Sequence, residues 1–103
     1  MSTVSTHVLD TAQGRPAANV TVRLETRGGE AVGEGVPDAD GRVGRLSADP
    51  LPAGDYRLRF DTGAYVDGFY PEVVIVFSIT DPEQHFHVPL LLSPYGYSTY
   101  RGC

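Results

Sequence analysis

A chain of 103 residues with a net charge of −5 and a single cysteine is long enough for one core, burying somewhat over ~60% of the unfolded surface, and too short for a second. The charge is spread along the chain rather than gathered in a block, which argues against nucleic acid or an anionic membrane as partner. Cys103 has no partner for an internal disulfide, and nowhere do ~18 apolar residues run together.

The first residues, MSTVSTHVLD, lack the basic start and long apolar run of a secretory leader, and Arg101-Gly102-Cys103 is not a peroxisomal tripeptide, so a cytoplasmic chain is expected. From Val4 to Asp10 the residues alternate. Val4, Thr6 and Val8 fall on one face of a strand, with Ser5, His7 and Leu9 on the other. After the loop Ala12–Pro16, a second strand sets Val20, Val22, Leu24 and Thr26 against a solvated face of Thr21, Arg23, Glu25 and Arg27. Gly28-Gly29 turns the chain into a weaker strand from Glu30 to Val36. Gly41 then closes the loop Pro37–Gly41 with the positive φ a tight turn needs, and Arg42 follows it directly.

A Pro- and Gly-rich loop from Ser47 to Asp55 leads to a strand with Tyr56, Leu58 and Phe60 on its dry face. Thr62–Phe69 is the only candidate helix, and its two glycines allow one or two turns at most. Val73–Ile79 is nearly all apolar and β-branched and reads as a strand buried on both faces. The stretch His85–Cys103 reads as two antiparallel strands broken at Ser93-Pro94. Phe86, Val88, Leu90 and Leu92 share one face, with His85, His87, Pro89 and Leu91 on the other. About seven or eight strands at roughly ten-residue spacing, with almost no helix, indicate one β-sandwich domain over residues 1–103.

Few residues are available for chemistry. His85 and His87, two apart on one strand face, suit a shared metal, acid–base work, or simply hydrogen bonding to a neighbouring strand. Zinc needs more ligands than this pair supplies, and His7 is the candidate third. Arg42 beside a turn glycine is either a surface arginine or a guanidinium held against an anionic or urea-like ligand. Nothing near Cys103 lowers a thiol pKa.

The segments THVLDTAQGRPA, DADGRV, GDYRLRFDTGAY and above all HFHVPLLLSPYGYSTYRGC resemble the transthyretin-like family, in its 5-hydroxyisourate hydrolase branch. The resemblance covers nearly the whole chain. It implies a sandwich of two four-stranded antiparallel sheets with at most one short helix, assembled as a homotetramer, a dimer of dimers with sites in the clefts between them. It further implies hydrolysis of 5-hydroxyisourate, a step of urate degradation, to 2-oxo-4-hydroxy-4-carboxy-5-ureidoimidazoline without cofactor or metal. By that resemblance the catalytic residues are His7, Arg42, His87 and Cys103, with His7, Arg42 and Tyr100 binding substrate and His85, Arg101 and Gly102 supporting them. The family's terminal Tyr-Arg-Gly-Ser falls on Tyr100, Arg101, Gly102 and Cys103, so a larger, more acidic and more weakly donating thiol replaces the hydroxyl. In the carrier branch of the same family, lysine, glutamate and threonine stand at the positions of His7, Arg42 and His87. A small-ligand carrier and a zinc-binding sandwich are the alternative readings.

Overall fold

Alternation along the first strand decides where the core lies. In the structure, a computed structural model describing residues 2–81 and 83–102, β1 (Thr3–Asp10) buries Val4, Thr6 and Val8 completely and leaves His7 and Leu9 half-buried. It lies at the centre of a sheet that also contains β2 (Arg15–Pro16), β5 (Arg42–Val43), β8 (His85–His87), β9 (Leu90–Ser93) and β10 (Gly96–Thr99). The facing sheet is antiparallel, in the order β4 (Ala31–Gly35), β3 (Val22–Thr26), β6 (Gly54–Phe60), β7 (Val73–Ile79). Phe60, Leu24, Leu58 and Leu90 fill the space between the sheets, each side chain stabilising the fold by about 1.5–3 kcal/mol through burial.

The all-β sandwich is the one expected, with differences in the first sheet. It has six strands, yet it is only four positions wide. β8 and β9 follow one another along one edge of β1, while β5 and β2 follow one another along the other edge. Pro89 separates β8 from β9 because it has no N–H to give the ladder. At that gap the Val88 N–H donates to the Ser5 carbonyl at 3.0 Å, and the Thr6 hydroxyl donates to the Val88 carbonyl at 2.6 Å. β8 and β9 run parallel to β1, not antiparallel. The long crossover that a parallel pair needs is the intervening chain, which builds the other sheet. The expected hairpin across Ser93-Pro94 is present as β9 against β10.

Two further readings are corrected. β7 is not buried on both faces: Val74 is 37% and Val76 50% exposed, because β7 pairs with β6 at the edge of its sheet and the chain covers only one of its faces. Glu25, expected on a solvated face, is only 3% exposed. The β3–β6 register puts Arg57 across from it, and Arg57 Nε donates to its carboxylate at 2.6 Å. The candidate helix is one 3-10 turn, Thr62–Ala64.

Candidate active site

The outer face of β1 carries Thr3, Ser5 and His7 in a row, since every second side chain of a strand points the same way. Two neighbours bring the remaining polar groups to that row. On one edge the β1–β5 ladder makes His7 and Arg42 Cα partners. On the other, the parallel β1–β8 register pairs Thr3 with His85 and Ser5 with His87. His7, Arg42, His85 and His87 therefore meet on one open face, although the sequence separates them widely.

The loop before Arg42 is built to hold this arrangement. Asp38 Oδ1 accepts the N–H groups of Asp40 (2.9 Å) and Arg42 (3.0 Å). Gly41 has φ +76°, and a Cβ there would stand 2.4 Å from the Val8 carbonyl oxygen, so only glycine lets the loop close against β1. The closure sets the Asp40 carbonyl 2.8 Å from His7 Nε2. A carbonyl only accepts, so Nε2 carries the hydrogen, and neutral His7 keeps its lone pair on Nδ1.

Ser5 links the other two imidazoles. Its Oγ lies 2.7 Å from His85 Nε2 and 2.7 Å from His87 Nδ1, and His85 Nδ1 lies 2.6 Å from Thr3 Oγ1. Burial pushes the pKa of His87 below the ordinary imidazole value, and the charges of Arg42, His7 and His85 push it the same way. His87 is thus held neutral, the form in which an imidazole takes up a proton. Among the described residues no group of three His, Cys, Asp or Glu side chains is placed to hold a metal ion.

The C-terminal segment divides its expected roles. Gly102 N donates to the His87 carbonyl at 2.7 Å, and a Cβ on Gly102 would lie 2.7 Å from His87 Cδ2, so this glycine packs flat against the imidazole. Arg101 turns to the other face of β8, its guanidinium 4.5 Å from the Phe86 ring centroid and one nitrogen 2.5 Å from Gln84 Oε1. Tyr100, 57% exposed, lines a groove of about 210 Å³ with Ile75, Phe77 and Phe86 at the β7 and β10 edges. The chain therefore does not bring Tyr100 and Arg101 to the histidines. Cys103 lies outside the described residues.

The sequence reading missed Ser5, Thr3 and the Asp40 carbonyl. The signal for Ser5 was its place two residues before His7 on the same face.

The HIUase/Transthyretin family model matches residues 4–102. A 5-hydroxyisourate hydrolase of Caulobacter vibrioides is 46% identical over 114 aligned residues, covering 99% of this chain and 99% of that protein. The solved structure of Klebsiella pneumoniae 5-hydroxyisourate hydrolase aligns over 100% of both chains with 44% identity and a TM-score of 0.92. Sea bream transthyretin in complex with thyroxine aligns over 96% of this chain and 93% of its own, with 32% identity and a TM-score of 0.84.

Proposed function

The chain belongs to the HIUase/Transthyretin family, and from that premise we propose that it is a 5-hydroxyisourate hydrolase whose chemistry is done on the outer face of β1. The observation that carries this reading is the convergence of His7 with Arg42 on one edge of β1 and His87 on the other. A carrier of an apolar ligand has no use for a face with three imidazoles, a guanidinium and a depressed His87 pKa. A hydrolase does.

In the proposed mechanism His87 takes a proton from water at Nε2, the ring nitrogen that Ser5 leaves free. The water oxygen bonds to the ring carbonyl next to the scissile nitrogen. Arg42 holds the anionic substrate and the oxyanion that forms as the carbonyl opens. His7, its Nε2–H fixed on the Asp40 carbonyl, accepts a substrate N–H at Nδ1 and so sets the ring's orientation. The C–N bond then breaks, and the proton held by His87 goes to the departing nitrogen. The product is 2-oxo-4-hydroxy-4-carboxy-5-ureidoimidazoline, and no cofactor enters.

The site is open in a single chain, and both sheet edges beside Tyr100 expose apolar groups, among them Val74, Val76 and Tyr97. These features support a homotetramer in which dimers join through such edges and close the β1 face between them. The reading keeps residues 1–103 as one domain with a shared core and places it in the cytoplasm, where a lone cysteine stays reduced. Among the described residues no helix is long and apolar enough to cross a membrane.

The test is the ultraviolet decay of 5-hydroxyisourate made in place from urate and urate oxidase. Purified protein should accelerate the decay in proportion to its concentration; a decay rate equal to the spontaneous one overturns the reading.

A further inference from the structure

Of the groups on the β1 face, Ser5 and His85 have no task in the mechanism above, yet they form its tightest hydrogen-bonded chain. Thr3 Oγ1, His85 Nδ1, His85 Nε2, Ser5 Oγ and His87 Nδ1 follow one another, and the three hydrogen bonds between residues measure 2.6, 2.7 and 2.7 Å. We propose that Ser5 and His85 are positioning residues that fix His87 as its Nδ1–H tautomer and share the proton it collects. This inference rests on the hydrolase reading for its kinetic consequence, though not for the tautomer itself.

Hydroxyl bookkeeping limits the chain to a few arrangements. Ser5 has one hydrogen and two imidazole neighbours, so at least one of those nitrogens must donate to it. If His87 Nδ1–H donates to Ser5, then Ser5 donates to His85 Nε2 and His85 Nδ1–H donates to Thr3. Every bond is made, and His87 Nε2 is left with a lone pair. The reverse order puts a hydrogen on His87 Nε2. Arg42 disfavours added positive charge on His87, and the order that leaves the lone pair on the free nitrogen is the one that suits a base in that setting.

The same chain relieves the imidazolium. When His87 Nε2 takes the proton of water, its Nδ1 proton passes to Ser5 Oγ while the Ser5 proton passes to His85 Nε2. Two N–H bonds form, one N–H bond and one water O–H bond break, and the Ser5 O–H is exchanged. The positive charge then sits on His85, which is exposed, instead of on half-buried His87, where burial and Arg42 penalise it. Return of the protons along the same path gives His87 back the proton for the departing nitrogen. His85 Nδ1–H stays on Thr3 throughout.

The experiment compares the wild-type chain with Ser5→Ala and Ser5→Thr, after circular dichroism and gel filtration show that the three share one fold and assembly. Two-bond ¹H–¹⁵N spectra of histidine-labelled protein read the His87 tautomer without substrate. The wild type should show a protonated Nδ1 and a bare Nε2, Ser5→Ala should shift His87 towards the Nε2–H form, and Ser5→Thr should restore the wild-type pattern. Turnover of 5-hydroxyisourate should fall ~10-fold in kcat for Ser5→Ala, with KM near wild type, and recover in Ser5→Thr. An Nε2–H tautomer in the resting wild type overturns the proposal, and so does equal behaviour of the alanine and threonine variants. A wild type with the predicted tautomer and no turnover overturns the hydrolase reading instead.

Discussion

Ser5 and His87 are Cα partners across the parallel β1–β8 ladder, and Ser5 Oγ lies 2.7 Å from His87 Nδ1. One ring nitrogen of His87 is thereby committed to the protein, and the other is free to work on a substrate. The pairing depends on a crossover that returns the chain from His85 onward beside its first strand.

His87 should titrate below the ordinary imidazole value of 6.5. Burial, Arg42, His7 and His85 all disfavour its imidazolium, so the neutral base persists as the pH falls and kcat/KM declines only through a midpoint under 6.5. Arg42→Gln removes one positive neighbour and should move that midpoint upward. Proton NMR of the His87 ring checks both; a midpoint above 6.5 in the wild type contradicts the electrostatic account.

Gly102 should resist even the smallest side chain. A Cβ there meets His87 Cδ2 at 2.7 Å, and either the ring or the C-terminal segment must move aside. Gly102→Ala is expected to lower kcat by about 10-fold or more, since a small misplacement of a reacting group is costly, while the urea midpoint hardly changes because the core is untouched. Wild-type turnover in this variant would show that the imidazole has room the structure does not give it.

Glu25 carries stability, not catalysis. Burial pushes its carboxyl pKa up, but the hydrogen bond from Arg57 and the charges of Arg59 and Arg57 outweigh that, and the net direction is down from 4.5. A lowered carboxyl contributes stability that is complete above the unfolded value and lost as the pH falls through the folded one. Glu25→Gln should therefore cost roughly 2 kcal/mol at neutral pH, leave turnover per folded chain unchanged, and approach wild-type stability at an acid pH below the lowered folded value. Urea unfolding at the two pH values measures the convergence; a constant difference would mean that the ion pairs are not its source.

Several of these features were legible in the sequence because a period of two assigns faces without any knowledge of neighbours. Val4, Thr6 and Val8 faced the core and His7 faced out, as their alternation required, and Gly41 took the left-handed turn ahead of Arg42. Alternation does not say what lies across the ladder. Glu25 alternated like a surface residue and is buried because Arg57 and Arg59 flank it in β6. Ser5 showed only its place on the face of His7, and its role came from the parallel register that set two imidazoles on its hydroxyl. The apolar run of β7 reads the same whether its second face is covered by this chain or left open at a sheet edge. Tyr100 and Arg101 share a motif with Gly102, but only Gly102 lies against His87, because the same alternation turns Arg101 over Phe86.

The most direct measurement places the wild-type chain beside His87→Asn in the ultraviolet decay of 5-hydroxyisourate. Asparagine keeps a polar group near Ser5 and removes the base. The wild type should accelerate decay and the variant should lose at least ~100-fold in turnover. Equal rates for the two proteins would contradict a hydrolase that works through His87 on the face of β1.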